Sequence, residues 1–126
     1  MPELSRRYSS GALHGEVLVV NITTDQIRDS TLAYALRDEI ISLVDATKAR
    51  NVVLDLDKVH FIGSVGFLAF LGVRRHLGGG RIVLCNMSEP IRQMFAVCRL
   101  IPSDTASTAP FEVEADSASA LTRLAA

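Results

Sequence analysis

Tryptophan is absent from this 126-residue chain, and cysteine occurs only twice, as Cys85 and Cys98. Two thiols are too few for a secreted disulfide framework, and their spacing matches no zinc or redox motif. Each is expected to pack as a small hydrophobe, as free cysteines usually do. Long apolar runs are missing as well. The run from Phe67 to Leu71 falls far short of the ~20 residues that cross a bilayer, and the N-terminus lacks the apolar core of a signal peptide. A cytoplasmic location with no membrane partner is therefore expected. Neither sign of charge dominates: 13 Lys and Arg face 14 Asp and Glu, for a net charge of −1. The basic residues are scattered apart from the pairs Arg6-Arg7 and Arg74-Arg75, so no electrostatic footprint for nucleic acid is visible.

The signatures of chemistry are equally sparse. His14, His60 and His76 are the only histidines. None sits in a metal-ligand spacing, so no metal is expected and each should lie at the surface or in a loop. Ile62 stands two residues before Ser64, where the nucleophile elbow of a hydrolase needs glycine. The triplet Gly78-Gly79-Gly80 is not followed by Gly-Lys-Ser/Thr, so a nucleotide phosphate cradle is not encoded. With no catalytic group and no cofactor indicated, the chain reads as a binding protein and not as an enzyme.

What is present is a regular alternation of elements. Hydrophobic residues make up 48% of the chain and charged residues 21%, the balance of a soluble globular protein. The length suits one domain over 1–126. Glu16 to Ile22 is rich in β-branched residues and follows a His14-Gly15 turn signal, with a weaker extended stretch from Arg7 to Leu13 before it, which together read as a hairpin. Leu32, Leu36, Ile40, Leu43, Val44 and Thr47 recur at steps of three and four, the mark of a one-sided helix that Asp29 or Ser30 can cap. Asn51 to Leu56 has the Val content and length of a strand buried on both faces. Arg81 to Cys85 is its natural neighbour, with Ser64 to Leu77 as the crossover helix and Gly78 to Gly80 at that helix's end.

Beyond Ser88, Pro90 suits a first turn and Ile91, Met94, Phe95 and Cys98 form an apolar stripe, which places Cys98 in the core. From Pro102 the composition turns to Ser, Thr, Asp, Ala and Pro, giving a loop over 103–110. Phe111 to Val113 can add a short last strand before a C-terminal helix from about Asp116. The expected fold is α/β: a mixed β-sheet of about five strands with four helices packed on it.

The most informative stretch runs from Val52 to Leu71: a buried strand, a short extended loop, then Gly63-Ser64-Val65-Gly66 opening a helix. Ser64 is expected at the N-cap, its hydroxyl satisfying one orphan amide for ~1 kcal/mol. On a helical wheel Val65, Ala69, Gly72, Val73 and Leu77 fall to one side, which suits packing on the sheet. Ser64, Phe67, Leu68, Leu71, Arg74 and Arg75 fall on the other, so large apolar residues share a face with the charges. Such a face is either covered by a neighbouring element or offered to a partner.

These residues resemble the STAS domain family, which includes bacterial anti-sigma-factor antagonists and the cytoplasmic tails of sulphate transporters. The resemblance is carried by Val53-Leu-Asp-Leu56, Val59, Phe61-Ile62, Ser64, Gly66, Phe67-Leu68, Gly79-Gly-Arg-Ile-Val-Leu84, Pro90-Ile91 and Met94-Phe95, and the order of elements agrees over almost the whole chain. It implies an anti-sigma-factor antagonist that binds an anti-sigma factor, itself a serine kinase, through the Ser64 loop and the helix after it. Ser64 is the implied phosphoacceptor. The implied contact residues are Gly63, Ser64, Val65, Phe67, Leu68, Leu71, Arg74 and Arg75.

Gly63 stands where phosphorylatable members usually carry Asp, Val65 replaces a second Ser or Thr, and the Gly-Glu-Leu-Asp-type segment is replaced by Ile22 to Asp29. Asp25 and Asp29 are included with the contact residues as acidic groups beside the Ser64 loop, the other reading being turn and cap residues. Two other functional readings stay open: an unmodified scaffold subunit, and a thiol sensor using Cys85 or Cys98. A monomer or weak homodimer is expected.

Overall fold

The computed structural model of the chain describes residues 3–103 and 108–125. In chain order the elements are β1 (Leu4–Ser5), β2 (Ser9–His14), β3 (Val17–Ile22), β4 (Gln26–Ile27), α1 (Ser30–Thr47), β5 (Asn51–Asp55), β6 (Phe61–Ile62), α2 (Ser64–Leu77), β7 (Ile82–Cys85), α3 (Glu89–Val97), β8 (Glu112–Glu114) and α4 (Ser117–Ala125). The β2–β3 hairpin closes with His14 opposite Val17 across Gly15, whose φ of +62° is the left-handed conformation that glycine adopts at no steric cost. From β3 onward the pairings with β5, β7 and β8 are parallel, and the main sheet has the order β1-β2-β3-β5-β7-β8.

The sheet is mixed and carries four helices, as the sequence suggests, but six strands rather than about five. The additional strand is β1, two residues at the edge paired antiparallel to β2. A strand of that length is too short to leave a periodic pattern. Part of the segment expected as the 103–110 loop, residues 104–107, lies outside the described residues.

The parallel strands bury both faces, and their residues alternate with period two. Leu18, Val20, Val52, Leu54, Ile82 and Leu84 point into the larger core, shared with α1, α2 and α3. Val17, Val19, Val53, Val83 and Cys85 point into a smaller one, closed by Ala120 and Leu124 of α4. The three crossover helices therefore lie on one face of the sheet and α4 on the other. Phe67, Phe70, Phe95 and Phe111 meet within the larger core, with ring centroids 4.7, 6.4 and 6.1 Å from that of Phe95.

The helix ends follow local chemistry. Asp29 caps α1, its carboxylate accepting from the Leu32 amide at 2.8 Å, and Ser88 caps α3 in front of Pro90. α2 ends at Gly78, which takes φ +72° and donates to the Arg75 carbonyl. Two residues on, Gly80 passes so close to the Arg50 carbonyl oxygen that a Cβ there would overlap it. This approach ties the end of α2 to the start of β5.

Candidate functional site

The Ser64 loop is held by a second, two-stranded sheet in which β4 and β6 pair in parallel, Gln26 with Phe61 and Ile27 with Ile62. The Asp25 carbonyl accepts from the His60 and Phe61 amides, and the Ile27 carbonyl accepts from the Gly63 amide at 2.8 Å. Ile27 and Ile62 are fully buried. Gly66 sits directly on them: a Cβ at that position would come within 2.5 Å of Ile62 and 3.0 Å of Ile27. The first turn of α2 is thus clamped against the small sheet, and Ser64 is left exposed on its outer side.

Ser64 does not cap the helix, contrary to the sequence expectation. Gly63 is the N-cap residue, with an extended backbone and no side chain to donate to, and Ser64 is the first helical residue. Its hydroxyl makes no hydrogen bond within the described residues. The amides of Ser64 and Val65 likewise have no backbone acceptor, whereas Gly66 and Phe67 donate to the Gly63 carbonyl. The result is a free hydroxyl beside free amides at the positive end of a helix, a local environment that favours negative charge.

The expected outward face of α2 is confirmed in part. Leu68 is 57% exposed, Leu71 is half-buried, and Arg74 and Arg75 are exposed. Phe67 is corrected: it is 8% exposed and its ring meets Phe95 edge-on, so it is a core residue that shows only an edge. The wheel misplaced it because Phe70, fully buried one turn later, draws the buried face round toward α3. Val65 and Gly63 are half-buried beside the serine. Of the two acidic residues, Asp29 spends its carboxylate on the α1 cap, while Asp25 meets the loop strand through its backbone carbonyl. Both are exposed.

Helix α3, expected from the sequence only as a core element, also borders this surface. Phe67, Pro90, Gln93, Met94, Val97 and Cys98 line an open, mainly apolar groove of about 410 Å³ between α2 and α3. Val97 is 82% exposed, the most exposed of the large apolar residues described. Its position three residues after Met94, outside the buried Ile91 and Phe95 pair, was the available signal. Cys98, expected in the core, is exposed. Helix α3 stops at Val97 and the chain reverses at Arg99, with φ +58°, so the apolar stripe was extrapolated one residue too far.

The charges around this surface are mostly basic. No carboxylate lies on α2, whose last turn carries Arg74, Arg75 and His76, where cations complement the helix dipole. His76 pairs with Asp45 at 2.7 Å and Arg74 Nε donates to the Pro110 carbonyl at 3.1 Å. At the other end of α2, the Arg28 guanidinium lies 4.3 Å above the Phe61 ring. The three histidines are all exposed, as expected. Cys85 is buried under α4. Burial, and then the charges of Asp55 and Asp116, push its thiol up to about 12, so its reactive thiolate is suppressed. Among the described residues no group of His, Cys, Asp or Glu is arranged to hold a metal ion, and no helix is long and apolar enough to cross a membrane.

Comparison with known proteins gives a consistent fold assignment. The family model described as the STAS domain matches residues 12–115. The anti-sigma factor antagonist SpoIIAA of Bacillus in its unphosphorylated form superposes with a TM-score of 0.64 at 19% identity, covering 93% of this chain and 97% of that one. Its phosphorylated form gives the same score and identity over 91% and 97%. A candidate anti-sigma factor antagonist from Thermotoga maritima gives a TM-score of 0.74 at 12% identity over 92% and 93%. At these identities the likeness is one of fold. No curated protein matches the sequence.

Proposed function

The chain belongs to the STAS domain family, and on that footing we propose that it is an anti-sigma-factor antagonist. It docks onto an anti-sigma factor through the Ser64 loop and α2, with Gly63, Ser64, Val65, Leu68, Leu71, Arg74 and Arg75 at the contact and Phe67 contributing its exposed edge. Asp25 and Asp29 border this surface from the β4 side. Docking keeps the anti-sigma factor from its sigma factor. The protein acts as a binding module in the cytoplasm, as a monomer or weak homodimer, and needs no cofactor.

The observation that supports this reading most is the exposed, unbonded Ser64 hydroxyl at the start of a helix whose neighbouring surface, Leu68 and the α2–α3 groove, is apolar and uncovered. Phosphorylation of Ser64 by a partner kinase would place about two negative charges on free helix amides, which tolerate them, and at the rim of a desolvating interface, which does not. A loss of ~3 kcal/mol is more than a hundredfold in affinity. Ser64→Glu is therefore expected to lose capture of the anti-sigma factors encoded by the same genome while retaining a native melting curve. Ser64→Ala should keep capture. Equal capture by both variants refutes the switch.

Gly63 favours a second reading within the same family: a docking subunit that is never modified, because the N-cap residue of the loop offers no carboxylate beside the hydroxyl. Incubation with such a kinase and ATP separates the two by intact mass, a phosphoryl addition supporting the switch and an unchanged mass the unmodified subunit.

A further inference from the structure

Where α2 ends and the chain turns toward β7, Arg74, Arg75, Gly78, Gly79 and Gly80 line a separate cleft of about 180 Å³. No carboxylate lines it. Arg74 is fixed by its Nε, which donates to the Pro110 carbonyl at 3.1 Å and leaves the two terminal nitrogens of the guanidinium without an acceptor among the described residues. Arg75 forms no ion pair among them. The carboxylates held nearby are spent elsewhere: Asp45 on His76, the residue after Arg75, and Glu112, two residues after Pro110, on Arg81 and Arg123. The loop adds donors. The Gly78 amide is used on the Arg75 carbonyl, but those of Gly79 and Gly80 have no acceptor among the described residues. Three successive positions without a side chain leave the backbone open to a ligand, and a Cβ at Gly78 or Gly79 would meet nothing within 4 Å.

We propose that this cleft binds a phosphate group, whose oxygens meet the Arg74 and Arg75 guanidinium groups and the Gly79 and Gly80 amides. A guanidinium presents paired donors that match two oxygens of a phosphate. The ligand's charge follows from the cleft's own: a phosphate with about two negative charges balances both arginines, whereas one carboxylate leaves a cation uncompensated. The C-terminal dipole of α2 brings roughly half a negative charge to the same end, too little to reverse the sign. The volume lies below the roughly 300 Å³ at which sites for whole small molecules begin, so the cleft holds the phosphate and leaves the rest of its bearer in solvent. This is not a nucleotide loop, since the glycines close a helix and the charge comes from side chains. Arg74 and Arg75 also belong to the surface proposed for docking, so a bound phosphate competes for them. The binding itself does not rest on that reading and is tested without a partner.

Inorganic pyrophosphate titrated into the full chain at fixed ionic strength, followed by amide chemical shifts, is expected to move Gly79 and Gly80 saturably with a Kd of about 1 mM or below. Acetate should not move them. Arg74→Gln/Arg75→Gln should weaken binding about tenfold or more, and Arg75→Gln alone should show part of that loss, so that a folding defect in the double variant does not hide the result. Arg92→Gln, which removes an exposed charge from α3, should leave binding unchanged. Sedimentation with phosphatidylcholine vesicles, with and without phosphatidic acid, separates the sources: retention only on the phosphatidic acid vesicles, lost in Arg75→Gln, assigns the phosphate to a lipid headgroup, and pyrophosphate binding alone assigns it to a soluble ligand. Binding of neither probe, shifts that spare Gly79 and Gly80, an equal response to acetate, or an equal loss in Arg92→Gln overturns the proposal.

Discussion

On the face of the sheet that carries α1, α2 and α3 the apolar core is the larger, yet Leu68 and Val97 remain in solvent. On the face that carries α4 the core is small, but α4 buries Ala120 and Leu124 and is pinned by ions. Glu112 binds Arg81 and Arg123, and Glu114 binds Arg123. The first face has apolar area to spare and leaves some of it uncovered, while the second covers its apolar residues and satisfies its charges. The surplus belongs to the side that carries Ser64, the side on which docking is proposed.

The two thiols offer the largest measurable contrast between the faces. Cys98 is exposed at the α3 groove, whereas Cys85 lies under α4 with its thiol pushed up to about 12. Three units above an ordinary thiol is about a thousandfold less thiolate. Under native conditions one thiol should react with a disulfide reagent and the second only on unfolding. Reaction of both at similar rates would mean that α4 does not seal its face.

Next in size is the aromatic cluster. Phe95→Ala removes the ring on which Phe67, Phe70 and Phe111 converge, and about 3–5 kcal/mol should be lost in urea unfolding. A loss near 1 kcal/mol would place the packing centre elsewhere.

The ion network on the α4 face gives a smaller, pH-dependent effect. The hydrogen bond from Arg81, reinforced by that from Arg123, lowers the Glu112 carboxyl to about 2, below its value near 4.3 in an unfolded chain. Because the folded value is the lower one, this contribution is present above about pH 4 to 5 and is lost as the pH falls toward 2. Glu112→Gln should therefore cost up to about 1 kcal/mol at neutral pH, as partly exposed pairs do, and progressively less as the pH falls from about 4 through about 2. A cost independent of pH would assign the effect to packing.

The smallest stability changes are expected on the face proposed for binding. Leu68→Asp and Val97→Asp should alter unfolding free energy by less than about 0.5 kcal/mol, since both side chains already lie in water. A large drop in melting temperature for either would show that its side chain is covered by the protein's own segments.

The parallel strands, the four helices and the bounds of α2 were legible in the sequence, because apolar periodicity and glycine punctuation are local signals that burial reinforces. Cys98 and Phe67 were misread for related reasons: one depended on where α3 stops, the other on which neighbour α2 meets, and neither is a property of its own segment. The β4–β6 sheet left almost no pattern, since two residues per strand cannot establish a period. By itself the sequence determined that a serine opens a helix apolar on nearly every side, since that follows from residue order and 3.6 residues per turn. Only the tertiary structure decided that Gly63 takes the cap and leaves the hydroxyl free, and that α3 supplies the other wall of the groove. Those outcomes depend on pairing Ile27 with Ile62 and on packing Phe67 against Phe95, contacts between residues far apart in the chain.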